Sequence, residues 1–240
     1  MKKALLIVAG LFITLTTIAQ NTTEQFIEAS GKTIKDKRAV PDFDKLKVNG
    51  PFKVLLGTND KFIMIEGSDN IVTLITTDIK DGLLTVSLKD GMKIKPSKNN
   101  AITIRIPFKE LNEISLYGSG NITSNKKITN KIALKLNGSG SILLNLYSPK
   151  TEATLVGCGN ITVTGFSEIF NCKVTGSGSV KAIALESDVV NANLSGSGSV
   201  AVVSNKAITG RINGSGSIAF SGEPKQQDLE RIGNGKFSTL

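Results

Sequence analysis

An all-β fold, specifically a right-handed parallel β-helix, is what this 240-residue sequence predicts, on three observations. One short phrase occurs seven times between Tyr117 and Phe237: Gly118-Ser-Gly-Asn-Ile, Gly138-Ser-Gly-Ser-Ile, Gly157-Cys-Gly-Asn-Ile, Gly176-Ser-Gly-Ser-Val, Gly196-Ser-Gly-Ser-Val, Gly214-Ser-Gly-Ser-Ile and Gly233-Asn-Gly-Lys-Phe. The intervals between first glycines are 20, 19, 19, 20, 18 and 19 residues, a period that marks a solenoid of about 19 residues per coil. Apolar residues alternate with polar ones on both sides of the phrase, which is strand periodicity; helical spacings of three and four are absent.

Within one coil, the residues two before the first glycine are Leu116, Leu136, Leu155, Val174, Leu194 and Ile212, and those four after it are Ile122, Ile142, Ile161, Val180, Val200, Ile218 and Phe237. These rows face inward, and a second inward row runs through Ile114, Leu134, Ala153, Cys172, Ala192 and Gly210. The Gly-x-Gly is the corner, with both glycines expected to hold conformations that a side chain resists. Stacking would place Ser119, Ser139, Cys158, Ser177, Ser197 and Ser215 in a ladder, with hydroxyl and amide side chains bonding along it. Right-handed winding is the default for parallel connections.

The remaining segments follow in order. Residues 1–19 read as a signal peptide: Lys2 and Lys3, an apolar run to Ile18, and small residues before Gln20. No other stretch is long and apolar enough to span a membrane, which needs about 20 residues. Residues 20–37 are polar and read as a flexible leader. Residues 38–237 form one β-helical domain, irregular over 38–116 and regular over 117–237. In the irregular part, 52–56 and 61–65 are expected to pair across Gly57-Thr-Asn-Asp60, and 71–79 to pair with 83–88 across Asp81-Gly82. Residues 102–106 are a further strand, and 91–100 a basic loop. This part would either be a separate module or cover the open end of the first coil; the second reading is preferred, because an exposed sheet edge invites aggregation. After Gly222 the pattern breaks into a charged terminal coil.

The Gly-Ser-Gly-Asn/Ser-Ile/Val phrases follow Ile106-Pro107-Phe108-Lys-Glu-Leu111-Asn-Glu-Ile114-Ser-Leu116. Upstream stand Phe43-Asp-Lys-Leu46-Lys-Val48-Asn-Gly50-Pro-Phe52-Lys-Val54, Asp69-Asn70-Ile71 and Asp81-Gly82-Leu83-Leu84. Over roughly residues 38–237 this combination resembles the family called putative auto-transporter adhesin, head GIN domain. The resemblance implies an exported bacterial β-helical protein and carries over no catalytic or binding residue.

Chemistry is constrained by what is missing. Histidine is absent, which removes the Ser-His-Asp and Cys-His triads and most zinc sites. Glycoside hydrolysis usually needs two flanking carboxylates. From Tyr117 to Gly222 the acids are Glu152, Glu168, Glu186 and Asp188, with Glu168 and Glu186 placed to stack on adjacent coils. They read as solvated surface. The corners lack the aspartates of calcium-binding β-rolls and the Gly-Lys-Ser/Thr of phosphate loops. Cys158 and Cys172 occupy different registers and read as unpaired thiols.

No catalytic, cofactor-binding or metal residue is therefore assigned, and no cofactor is expected. Without its first 19 residues the chain carries 27 Lys and Arg against 20 Asp and Glu, or +7, densest at Lys126, Lys127, Lys131 and Lys135. Trp is absent and Tyr117 and Tyr147 are the only tyrosines, which speaks against a nucleic-acid partner. Anionic glycans or a bacterial surface suit this charge better. The expected function is that of an exported, non-enzymatic structural or adhesion-type protein of the cell envelope, located in the periplasm, at the cell surface or secreted. Its expected partners are envelope glycans or surface proteins, with no membrane span after signal cleavage. The alternative is a polysaccharide lyase or hydrolase on a β-helix. Intact-mass measurement of the native protein is expected to give an N-terminus at or near Gln20; retention of Met1 in a soluble cytoplasmic fraction would contradict export.

Overall fold

Two parallel ladders, one on each side of the Gly-x-Gly corners, form the body of the protein. The structure, a computed structural model, describes residues 26–40, 42–89, 92–94 and 101–240. The expected signal peptide and residues 20–25 lie outside this range. Before the corner the stacking order is Leu83–Leu88, Lys45–Asn49, Glu113–Gly118 and Ile132–Gly138, then the later halves of Ser141–Gly157, Asn160–Gly176 and Ser179–Gly196, then Ala207–Gly214 and Gln226–Ile232. After the corner the order is Thr103–Ile106, Lys53–Leu56, Asn121–Ser124, the first halves of the same three long strands, Ser199–Val203, Ser217–Ser221 and Lys236–Thr239. The result is a β-solenoid of about seven turns, roughly 19 residues apart, preceded by an irregular strand-rich part.

The inward rows are as the alternation predicts. Leu136, Leu155, Val174, Leu194 and Ile212 pair in register and are at most 2% exposed. Each such side chain contributes about 1.5–3 kcal/mol by leaving water. The row Ala153, Cys172, Ala192, Gly210 is small for a packing reason seen at its end. A Cβ on Gly210 would lie 2.7 Å from Phe237 Cε1 and 2.8 Å from Leu229 Cδ2, so the terminal coil's bulky residues fill the space that Gly210 leaves.

Both glycines of a corner lack room for a Cβ against the previous coil, at Gly176 because it would lie 2.5 Å from the Gly157 carbonyl oxygen, and the first carries a second requirement. The first has positive φ, for instance 114° at Gly176, where an L side chain is strained. The second, Gly178, has no positive φ. A Cβ there would lie 2.3 Å from Leu155 Cδ2 and 2.7 Å from the Gly159 carbonyl oxygen of the previous coil. The ladder also differs in detail. Its middle residues, such as Ser139 and Ser177, are exposed, and side-chain bonds along the stack fall on the residue after the second glycine: Ser141 Oγ donates to Asn121 Oδ1 (2.7 Å) and Ser199 Oγ to Ser179 Oγ (3.0 Å).

One corner lacks the Gly-x-Gly phrase. Gly50, with φ 138°, Pro51 and Phe52 sit directly against the Gly118 corner: Gly50 N–H donates to Tyr117 O (3.0 Å), and Asn121 N–H to Phe52 O (2.8 Å). Its second position tolerates a buried phenylalanine because the strands on its far side, Leu83–Leu88 and Thr103–Ile106, are joined through residues 89–102. Among the described residues, no Gly-x-Gly corner presents a carbonyl there.

The irregular part continues both ladders, with partners that differ from expectation. Lys53–Leu56 and Ile63–Ser68 do not form a hairpin. Thr103–Ile106 lies between them, parallel to the first and antiparallel to the second. Alternation specifies which face is buried but not which strand is adjacent. Ile75–Lys80 and Leu83–Leu88 do pair antiparallel, across Asp81 (φ 52°) and Gly82 (φ 75°), the two positive angles of a type I′ turn. The start of the expected 71–79 strand is instead a single helical turn, Asp69–Val72, which buries Ile71 and Val72.

The leader is not flexible throughout. Thr33–Arg38 pairs antiparallel with Ile63–Ser68, and Phe26–Ile27 pairs with Lys93–Ile94 inside the expected 91–100 loop. Polar composition hides the 33–38 strand because its half-buried face ends in an arginine. Arg38 donates to Asp36 Oδ2 (2.9 Å), Ile75 O (2.8 Å) and Thr77 Oγ1 (3.2 Å), tying the end strands of the two ladders together. At the other end Arg231 pairs with Ile212, which closes the apolar row with a charge; its guanidinium donates to Gly235 O (2.8 Å).

Thermal melts of three variants test this packing. Val174→Asp buries an unpaired charge and is expected to cost about 4 kcal/mol or more. Gly178→Val, clashing with backbone on the previous coil, is expected to destabilise strongly. Lys173→Asp, on the exposed neighbouring position, should stay within about 0.5 kcal/mol. Equal tolerance of Val174→Asp and Lys173→Asp would contradict the assignment of faces.

Candidate ligand-binding face

Past the second ladder the long strands turn through a third side of the coil before reaching the next corner. Alternation along Ser141–Gly157 sends Leu143, Asn145 and Tyr147 outward and Leu144, Leu146 and Ser148 inward. The next strand presents Thr162, Thr164 and Phe166 opposite these three outward residues. Beneath them runs an internal column of buried serines, Ser148, Ser167, Ser187 and Ser204, three of which bond neighbouring groups while Ser187 Oγ has no partner among the described residues. Ser148 Oγ reaches Asn130 O at 2.7 Å, Ser167 Oγ reaches Thr151 Oγ1 at 2.9 Å, and Ser204 Oγ reaches Ala207 O at 2.7 Å. Sequence reading missed this column. Its only trace there is serine at intervals of 19, 20 and 17 residues.

Tyr147 is 60% exposed, high for an aromatic side chain on a regular strand. Its ring centroid lies 5.4 Å from that of Phe166 at a 38° tilt, within the preferred range for aromatic pairs. Lys127 Nζ stands 5.8 Å from the Tyr147 centroid, and Lys126 Nζ 5.0 Å from that of Phe108. Lys126 also donates to Lys109 O (2.9 Å), which fixes the ammonium in place. Beyond Phe108 the strip opens into a dish of about 380 Å³, with Val40, Phe43, Pro107 and Phe108 as its apolar lining and Asp42, Asp60, Lys61 and Lys109 as its charged members. Asp42 and Lys109 are bonded at 2.7 Å; the bond holds the Asp42 carboxyl below and the Lys109 ammonium above their ordinary ranges. The face thus joins rings that can pack against the C–H surface of a ligand to amide, hydroxyl and ammonium groups that can bond its polar edge.

The four lysines expected as one patch are divided among sites. Lys126 and Lys127 belong to this strip, whereas Lys135 lies before the corner and pairs with Glu113 at 3.0 Å. Burial pushes the Glu113 carboxyl up, but bonds from Lys135 and Ser115 outweigh it and leave the net shift downward. The acids do not assemble as foreseen either. A register shift between Thr162 and Thr164 sets Glu186 opposite Phe166, and leaves Glu168 between the pairs Ser167–Ser187 and Ile169–Val189, level with Asp188. Asp188 is taken by Lys206 at 2.8 Å, and that bond raises the lysine's pKa. Among the described residues no group of three or more His, Cys, Asp or Glu could hold a metal ion, and no helix is long and apolar enough to cross a membrane.

The cysteines are both free: Cys158 is exposed at its corner, and Cys172 is buried in the small inward row. Burial pushes the Cys172 thiol up to about 12. A thiol-alkylating reagent at neutral pH is therefore expected to label Cys158 alone in the native protein and both thiols after denaturation, read by intact mass. Labelling of Cys172 at native conditions would show that the coil opens locally.

No curated protein matches the chain. Among solved structures, an adhesin from Bacteroides fragilis, itself described as putative, is 26% identical; the match covers 89% of this chain and all of that one, with a TM-score of 0.81. A protein from Parabacteroides distasonis described as a putative lipid-binding protein is 21% identical over 90% of this chain and all of its own, with a TM-score of 0.74. A putative adhesin from Parabacteroides merdae is 22% identical over 90% and 99% of the two chains, with a TM-score of 0.70. The last two likenesses are of fold alone. Over residues 42–224, which take in most of the irregular part and the regular coils, the sequence matches one family, and the chain belongs to it: putative auto-transporter adhesin, head GIN domain.

Proposed function

We propose that this is an exported, non-enzymatic adhesion-type protein of the bacterial cell envelope that binds glycans on the third side of its solenoid. The observation that carries the reading is the exposed Tyr147 ring packed against Phe166, its register partner on the adjacent parallel strand. A sugar ring offers C–H groups to an aromatic face and hydroxyls to neighbours such as Asn145 and Thr164. Because both rings are fixed by the stacked coils, little side-chain entropy is lost on binding. The family's adhesin description and the Bacteroides fragilis likeness support an adhesion role. The Lys2-Lys3 start, the apolar run to Ile18 and the small residues before Gln20 support export. The acids near the strip support binding without turnover, since Asp188 is committed to Lys206 and Glu186 faces an aromatic ring.

The test is a glycan panel scored for retention of the mature protein and, in the same wells, for released product. Retention without release is expected. Tyr147→Ala should weaken it about tenfold, the equivalent of roughly 1.4 kcal/mol. Asn213→Ala, an exposed position on another side, should leave it unchanged. Product release abolished by Glu168→Gln or Glu186→Gln would replace this reading with a carbohydrate-active enzyme.

A further inference from the structure

The charge on the strip narrows the class of glycan, an inference that rests on the glycan-binding reading above. Lys35, Lys109, Lys135, Lys150 and Lys206 each have a carboxylate within ion-pair distance. Lys126 and Lys127 have none among the described residues. Their ammonium groups are held over the rings of Phe108 and Tyr147 instead. A ring orients an ammonium without cancelling its charge. Two cations without a counter-charge, Lys126 also bonded to the Lys109 carbonyl, therefore stand within a strip of aromatic rings. Covering them with a neutral chain would remove water and supply no counter-charge. An anionic chain would replace that water with charge-assisted bonds.

The strip also has a direction. Phe108, the lysine pair, Tyr147 and Phe166 succeed one another along the solenoid axis, since Lys126 contacts Phe108, Lys127 contacts Tyr147, and Tyr147 is the register partner of Phe166. Parallel coils are about 4.8 Å apart, so these levels span the length of a short oligosaccharide. Beyond Phe166 the register partner is Glu186, which repels an anion. At the opposite end the dish sets Lys61 and Lys109 against Asp42 and Asp60, with Lys109 already paired to Asp42, so it neither adds to nor opposes the charge of the lysine pair.

We infer that the strip binds an anionic glycan, such as a uronate or sulfated chain, lying along the solenoid axis with its acid groups over Lys126 and Lys127 and one end toward the dish at Phe108. A membrane surface fits less well, because the strip is one ring wide and a bilayer would also press Glu186 and Glu168 toward its headgroups.

The experiment uses the mature chain and matched glycan pairs, galactan with galacturonan and dextran with dextran sulfate, alongside phosphatidylglycerol vesicles, at about 0.15 M salt and at higher salt. The anionic member of a pair is expected to bind at least about tenfold tighter than the neutral one, with the advantage falling as salt rises. The double variant Lys126→Ala, Lys127→Ala should lose most of that preference while its melting temperature is maintained, and Lys127→Arg should retain it. Equal or tighter binding of the neutral members overturns the inference and leaves the glycan reading standing. Anionic preference that survives the double variant also overturns it, by placing the acid groups elsewhere. Retention of no glycan at all, or binding to vesicles alone, overturns both.

Discussion

A single carbonyl in each corner sets the geometry of the whole molecule. Gly157 O accepts the N–H groups of both Ser177 and Gly178, each at 3.0 Å, and the arrangement repeats at Gly118, Gly138, Gly176 and Gly196. Two donors converging on one oxygen need the backbone of the upper coil pressed against that of the lower, so no Cβ fits at either glycine. The first must adopt positive φ to turn the chain there. Once the corners coincide, the period-two alternation on either side has no freedom left: every residue at a given offset stacks on its counterpart. The apolar rows inside and the side-chain columns outside are both consequences of that register.

A solenoid solves its middle with one rule and must solve each end separately. The first corner shows the rule relaxing where its cause disappears, since Phe52 occupies the second-glycine position and no corner carbonyl lies on its far side among the described residues. The far end shows the converse. Gly210 is reduced to a hydrogen because Phe237 and Leu229 of the last coil pack into its place, and Arg231 then interrupts the apolar row that Ile212 would otherwise present to another molecule. At the opposite end a charged side chain joins instead of separating. Arg38 bonds groups on both end strands, which lets a sequence as polar as Thr-Ile-Lys-Asp-Lys-Arg serve as an edge.

Sequence reading reached whatever the repeat imposes and missed what depends on a partner. The rows through Val174 and Ile161 and the turn at Asp81-Gly82 are local patterns and were legible. The Gly50 corner was not legible because Phe52 stands where the repeat has its second glycine, although Leu46, Val48, Val54 and Leu56 keep the same offsets as Ile114, Leu116, Ile122 and Ser124. Strand Thr103–Ile106 was found, but its insertion between Lys53–Leu56 and Ile63–Ser68 was not, because nothing in four alternating residues names a neighbour. The candidate site was less legible still. Tyr147 and Phe166 are 19 positions apart and each is an isolated aromatic at an outward position; only the exact stacking of two coils makes them a pair.

That dependence has a consequence for how such a surface can change. Each coil level contributes one or two outward side chains to the strip: Lys126 and Lys127 at one, Tyr147 at the next, Phe166 above it. The residues that maintain the level, Ile128, Leu146 and Ser148 and the serine column, are different ones and point inward. In a one-dimensional fold whose stability is a sum of coil and interface contributions, outward substitutions at one level leave that sum nearly untouched. Binding chemistry can then be exchanged level by level while the corners hold. A family built on this scaffold is free to keep its glycine phrases and vary its ligands, so the shared corners identify the architecture and the outward columns must be read anew in each chain.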